Sequence, residues 1–129
     1  MDVEHISYIH LTSTSTQKSI TFEELKTWLT YYETLLTKTG QQLNWEYEQT
    51  GFPYKVMETE SSLYLKGTLP QYYSILLDIT VTDETAAIKI ALPSKATHGD
   101  KGKANELAKF LAKKLKGQLQ LFNGRIMSF

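Results

Sequence analysis

The 129-residue sequence contains no cysteine and no long apolar run. Without cysteine the chain has no disulfides, no thiolate metal ligands and no thiol nucleophile, which agrees with a cytoplasmic protein. No strictly aliphatic run exceeds three residues, as at Ile75 to Leu77, whereas a membrane-spanning helix needs roughly 20 apolar residues. The first residues lack the basic start and apolar stretch of a secretory signal. We therefore expect a cytoplasmic protein with no membrane association.

The chain also lacks a net charge, because its 14 basic residues equal its 14 acidic residues in number. Their distribution is uneven, since residues 95–116 carry seven lysines against Asp100 and Glu106. This basic segment favours either an acidic partner or simple compensation of acidic neighbours in the fold. His5 and His10 point to opposite faces of a predicted strand, and no other group has the spacing of a metal site. We predict no metal and no cofactor.

The periodicity of the chain predicts one α+β domain over residues 1–129. Helix one follows Thr21, which forms a capping box with Glu24, and ends at Gly40. Helix two covers residues 101–116, where apolar side chains are spaced three and four apart. Alternation with period two predicts strands, and these lie at residues 3–11, 43–48, 52–57, 63–66, 72–81 and 88–92. Asn123-Gly124 predicts a hairpin at the end of the chain.

One face of the predicted sheet is almost wholly apolar, and the other is mixed. A sheet covered on both faces would have continuously apolar strands. The pattern therefore favours a two-layer sandwich, in which a mostly antiparallel sheet carries two long helices on one face.

The loop before helix two is the first candidate site. If Asp100 caps the helix, free backbone N–H groups and the positive end of the helix dipole lie beside two lysines and could hold a phosphate or carboxylate. The candidate ligand-binding residues are Thr97, His98, Gly99, Asp100, Lys101 and Lys103. The alternative is that Thr97 or Asp100 only caps the helix and Gly99 only forms a turn. A P-loop is excluded because Thr97 and Ala104 occupy the positions that need glycine and Ser or Thr.

The outward face of the sheet is the second candidate. Met57, Tyr64, Tyr72 and Leu76 are predicted to point away from the helices. Amphipathic rings on an open sheet can dock a protein partner or a second copy of the chain. The alternative is that these are scattered surface residues, which are ordinary in soluble proteins.

The lysines of helix two are the third candidate. Lys109, Lys113 and Lys116 are spaced four and three apart and could follow a phosphate backbone. Phe110 is the only ring on this helix, whereas single-strand binders interleave basic and aromatic residues. Nucleic acid is therefore the least favoured partner, and a solvated lysine face is the alternative.

Three segments carry a resemblance to a known family. They are residues 97–106 (THGDKGKANE), residues 109–115 (KFLAKKL) and residues 121–127 (LFNGRIM), together with Phe52-Pro53-Tyr54. In these segments the chain resembles a small family of uncharacterised proteins from Bacillus-type bacteria, filed as a domain of unknown function. The resemblance implies a cytoplasmic bacterial α+β domain. It supplies no catalytic residue and no activity.

Because no catalytic spacing occurs, the leading hypothesis is a non-enzymatic binding or regulatory module. A second hypothesis is an anion-binding protein or enzyme that uses the loop at residues 97–103, with His98 and Asp100 as proton-transfer candidates. A third is nucleic-acid binding through the basic helix at residues 101–116. Whether the protein is an enzyme stays open, because catalytic groups can assemble from distant positions.

Overall fold

The computed structural model describes residues 3–43, 54–60, 62–81 and 85–129. The elements in these ranges are β1 (Val3–His10), α1 (Phe22–Leu43), β2 (Tyr54–Glu58), β3 (Leu63–Gly67), β4 (Ser74–Val81), β5 (Ala86–Pro93), α2 (His98–Leu115), β6 (Gln118–Gln120) and β7 (Ile126–Ser128). The strands form one sheet in the order β2-β3-β4-β5-β1-β6-β7, and every described pairing is antiparallel. The predicted α+β class and mostly antiparallel sheet are confirmed. No helix in the described ranges is long and apolar enough to cross a bilayer.

The cross-strand register sorts the side chains of the sheet onto two faces. On the core face, Leu65 opposes Ile75, and Ile79 opposes Ile88. The side chains of Leu65, Ile75 and Ile88 are each at most 1% exposed. Buried residues of both helices belong to the same apolar cluster as this face; they include Leu25, Leu29, Leu107 and Leu111. The opposite face, here called the open face, carries exposed Lys55 and Met57.

Helix α1 begins as the sequence predicts but ends later. The Thr21 Oγ1 atom accepts a hydrogen bond from the Glu24 N–H at 3.1 Å, and Glu24 Oε1 accepts one from the Thr21 N–H at 3.1 Å. This reciprocal pair confirms the capping box. The prediction that Gly40 ends the helix is wrong, because α1 continues to Leu43. Glycine weakens a helix by only about 1 kcal/mol, which tertiary packing can offset. Of the strand predicted at residues 43–48, Leu43 is helical and the remainder lies outside the described residues.

Helix α2 is capped at both ends. Thr97 is the N-cap of a capping box whose third helical residue is Asp100. Lys116 ends the helix in the left-handed conformation with φ 52°, and the Gly117 N–H donates to the Ala112 carbonyl at 2.9 Å. The predicted apolar stripe is buried, and it consists of Ala104, Leu107, Ala108, Leu111 and Leu115. The helix starts at His98 and is therefore three residues longer at its N-terminus than expected.

The terminal hairpin forms at Asn123-Gly124, as predicted. The Leu121 N–H donates to the Arg125 carbonyl at 2.8 Å, and Asn123 Oδ1 accepts the Arg125 N–H at 2.9 Å. Gly124 has φ +86°, a conformation that glycine adopts without steric cost. This hairpin places β6 and β7 beside β1 and brings residues 121–123 close to α2.

Two glycines of α2 should respond oppositely to alanine. A Cβ atom at Gly99 would lie 2.7 Å from the Tyr72 ring and 3.0 Å from the Gln71 carbonyl, whereas one at Gly102 would meet nothing within 4 Å. We expect Gly99→Ala to lower the free energy of unfolding by about 1 to 3 kcal/mol through overpacking. Gly102→Ala should raise it by about 0.5 to 1 kcal/mol. Urea unfolding followed by circular dichroism measures both, and effects of the same sign would contradict this description of the helix start.

Candidate functional site

A fully buried carboxylate fixes the start of α2. Asp100 is 0% exposed, and its Oδ1 atom accepts a hydrogen bond from the Tyr54 hydroxyl at 2.5 Å. The Tyr73 N–H donates to both carboxylate oxygens, at 3.0 and 2.9 Å, and the Thr97 N–H donates to Oδ2 at 2.9 Å. Asp100 therefore joins β2, the loop before β4 and the N-cap of α2. Its hydrogen bonds are directed into the fold, so this geometry does not support a role in proton transfer.

The other residues of the predicted loop site divide into two groups. Thr97 is held by the fold, because its Oγ1 donates to the Gln71 carbonyl at 2.6 Å while accepting the Asp100 N–H. Gly99 is held by close packing on Tyr72. Lys103 forms an ion pair with Glu106 at 3.6 Å.

The remaining two predicted residues, His98 and Lys101, line open space. One cleft of about 420 Å³ and a neighbouring cleft of about 290 Å³ share His5 and Lys101, so together they form one groove. We call this the cationic groove. The larger cleft is lined by His5, Lys101, Asn105, Lys109, Leu121, Phe122 and Asn123. The smaller one adds His98, Thr97, Ala96 and residues 92–94.

One ridge of α2 supplies the polar wall of the larger cleft. Lys101, Asn105 and Lys109 follow one another at intervals of four residues, which places them along one side of the helix. At 1.5 Å per residue the ridge extends about 12 Å. The hairpin forms another wall, where the ring of Phe122 meets His5 edge to face with centroids 5.4 Å apart.

The lysines of the groove have no acidic partner among the side chains that the structure describes. Among these side chains, no aspartate or glutamate lines either cleft, and neither Lys101 nor Lys109 forms an ion pair. Other lysines of α2 lie over rings, with Lys114 Nζ 5.4 Å from the centroid of Tyr31 and Lys113 Nζ 6.0 Å from that of Phe129. No group of three or more metal-ligating side chains occurs in the part of the chain described. The groove therefore has the charge and hydrogen-bond donors to hold an anion.

The sequence prediction did not include five residues of the larger cleft. These are His5, Asn105, Leu121, Phe122 and Asn123. The sequence predicts Lys109 only as part of a nucleic-acid surface. The spacing of four from Lys101 to Lys109 was a usable signal for the helical wall. Nothing local in the sequence connects that wall to β1 or to the hairpin.

The predicted partner surface is brought together only in part. Met57 opposes Tyr64, and Tyr64 opposes Leu76, so these three side chains form one row across the open face. Tyr72 is the exception. It precedes β4, its ring meets Tyr54 edge to face at 5.6 Å, and it packs against the core cluster beside Gly99. The prediction that Tyr72 points away from the helices is wrong, because the loop before β4 does not continue the alternation of the strand.

The fold and the groove define a small α+β protein with an open, cationic site beside one helix. The chain belongs to the family described as Domain of unknown function (DUF1885), whose profile matches residues 5–129. The predicted family resemblance is thereby confirmed. Among solved structures, the chain is similar to a protein of unknown function from Bacillus stearothermophilus, at 48% identity and a TM-score of 0.65. The match covers 92% of this chain and 95% of that one. No curated protein matches the chain.

The contact between Tyr54 and Asp100 predicts a loss of stability at alkaline pH. Burial, and then the hydrogen bond to the Asp100 carboxylate and its charge, raise the pKa of Tyr54 above the ordinary value of 10.0. Below pH 10 both states keep the phenol proton. Above pH 10 the unfolded chain releases this proton while the folded chain retains it, so the free energy of unfolding falls by about 1.4 kcal/mol per pH unit.

Tyr54→Phe isolates this effect from the other tyrosines. At pH 7 the variant should be less stable than wild type by about 1 to 3 kcal/mol, because Asp100 loses a buried hydrogen-bond donor. Between pH 10 and 11 wild type should lose about 1 kcal/mol more stability than the variant. Urea unfolding at several pH values measures the difference, and parallel pH profiles would show that Tyr54 ionises normally in the folded protein.

Proposed function

We propose that this protein is a small, non-enzymatic binding module that holds an anionic ligand in the cationic groove. The observation that carries the proposal is the lining of the larger cleft, where two lysines and two asparagines face a ligand-sized space without any described carboxylate. Lys101 and Lys109 supply charge, and Asn105 and Asn123 supply amide groups that fix orientation.

The shape of the groove favours a ligand that is longer than a single phosphate. The two lysines are about 12 Å apart along the helix, and Phe122 provides an apolar surface beside them. An elongated molecule with two or more separated carboxylate or phosphate groups and an apolar body satisfies both features. Phosphate, sulfate or a simple carboxylate should bind the same lysines more weakly.

Binding fits the groove better than catalysis does. Asp100, the acidic residue of the predicted loop site, is buried and hydrogen-bonded within the fold. An enzyme remains the second hypothesis, with His5 and His98 as the imidazoles that line the groove. A reproducible turnover that disappears in His98→Ala would favour the enzyme. Ligand binding without turnover would favour the module.

The proposal also covers how the helices pack on the sheet and where in the cell the protein is located. We infer a two-layer sandwich with both helices on the core face of the sheet, supported by the single cluster of buried residues that both helices and that face share. A cytoplasmic location in a bacterium is supported by the lack of cysteine and by the Bacillus stearothermophilus relative. Nucleic-acid binding through residues 101–116 stays an alternative prediction. It is less favoured because Lys113 and Lys114 lie over rings of the protein.

The proposal is tested by titrating ¹⁵N-labelled protein with phosphate, sulfate and citrate at low salt. We expect amide shifts around Lys101, Asn105 and Phe122, with citrate binding most tightly. The Lys101→Gln/Lys109→Gln variant should bind citrate at least about tenfold more weakly, because hydrogen bonds to charged groups contribute about 1.5 to 3 kcal/mol each.

A second double variant controls for net charge. Lys18→Gln/Lys113→Gln removes the same two charges outside the groove and should bind citrate like wild type. An equal loss in both variants would reduce the interaction to general charge attraction and contradict a built site. Stronger binding of a generic DNA duplex or single strand, with a steep dependence on salt, would favour the nucleic-acid alternative.

A further inference from the structure

The open face of the sheet has an apolar row that the groove does not explain. Met57, Tyr64 and Leu76 oppose one another on β2, β3 and β4, and Ala91 opposes Leu76 on β5. Ala91 is only 2% exposed. Adjacent strands are about 4.8 Å apart, so the accessible part of the row, from Met57 to Leu76, is about 10 Å long. Met57 is 44% exposed, and Tyr64 and Leu76 are each partly exposed. The row therefore offers a continuous apolar surface on the side of the sheet opposite the core face.

A small cleft lies beside this row. It has a volume of about 140 Å³ and is lined by Tyr64, Tyr73, Ser74, Pro93, Ser94 and Lys95. This is close to the size of engineered apolar cavities that accept benzene. The cleft is therefore large enough for one aromatic or leucine side chain, the kind of anchor that dominates many protein interfaces.

Lysines border the row, and no acid group in the described residues is paired with them. Lys55 and Lys66 are direct cross-strand partners, both are exposed, and neither forms an ion pair. Like charges directly opposite each other destabilise a sheet. An edge lysine protects a strand from aggregation, which accounts for Lys55 on β2, but Lys66 lies on β3 inside the sheet. Lys95 adds a third positive charge at the cleft.

From this arrangement we propose that the open face docks an acidic segment of another protein, which inserts one aromatic or leucine side chain into the cleft beside Tyr64. The partner's carboxylates relieve the repulsion between Lys55 and Lys66. A second copy of this chain fits less well, because it would bring the same lysines against each other. Asp78, on the same face, is already opposed by Lys89. The proposal does not rest on the ligand in the cationic groove, although Pro93 and Ser94 line both the smaller cleft of the groove and this cleft.

The test uses the full chain to select peptides from a random 12-residue phage library. We expect the enriched sequences to contain an aromatic residue or leucine flanked by Asp or Glu. Binding of the synthesised peptides should shift the amide resonances of Met57, Tyr64 and Leu76. Their affinity should fall about tenfold or more in Lys55→Glu/Lys66→Glu, since complementary charge becomes repulsion.

Two controls make the result specific. Lys18→Glu/Lys113→Glu changes the net charge equally, away from the open face, and should leave peptide affinity unchanged. Lys101→Gln/Lys109→Gln should also leave it unchanged, whether or not the groove binds anions. No enrichment, enrichment of basic or uncharged peptides, or equal losses in the two charge-reversed variants would overturn the proposal. So would concentration-dependent dimerisation in sedimentation that is abolished by Met57→Asp on the apolar row, because the occupant would then be a second copy.

Discussion

The buried carboxylate of Asp100 is the interaction on which the rest of the structure depends. It receives hydrogen bonds from a side chain on β2, from the backbone before β4 and from the N-cap of its own helix. If the carboxylate were removed, the buried Tyr54 hydroxyl would lose its acceptor at a cost of about 1 to 3 kcal/mol. The partly buried N–H groups of Tyr73 and Thr97 would lose theirs as well. Because Asp100 fixes where α2 begins, it also fixes the direction in which Lys101, Asn105 and Lys109 project.

This constraint changes the interpretation of the loop before α2. A helix N-terminus offers N–H groups to anions. Here the Thr97 Oγ1 atom accepts the Asp100 N–H, and the Asp100 carboxylate accepts the Thr97 N–H. Gly99 is packed under Tyr72. The loop is thus held by contacts within the protein. The groups that can bind a ligand are instead the side chains of the following helical turns. The groove lies beside the predicted site, and it shares Thr97, His98 and Lys101 with it.

The features that sequence predicts well are those that neighbouring residues determine. The capping box of Thr21 and Glu24, the buried stripe of α2 and the turn at Asn123-Gly124 all depend on contacts within a few residues. The groove could not be predicted in this way, because His5 and Phe122 meet only after β1 pairs with β6. The wrong prediction that Tyr72 lies on the open face has a related cause. The alternation of β4 does not continue into the preceding loop, because Asp100 and Gly99 set the course of that loop.

The acidic and basic residues of the described chain differ in how often they are bonded within the fold. Several acids are bonded within the fold, namely Glu23, Glu24, Glu58, Asp100 and Glu106. By contrast, Lys101 and Lys109 in the groove and Lys55 and Lys66 on the open face form no ion pair with a described residue. Although the net charge is zero, the protein therefore has two basic surfaces, one in the groove beside α2 and one on the open face of the sheet. The two sites nevertheless meet at the end of β5, because Pro93 and Ser94 line both the smaller cleft of the groove and the cleft beside Tyr64.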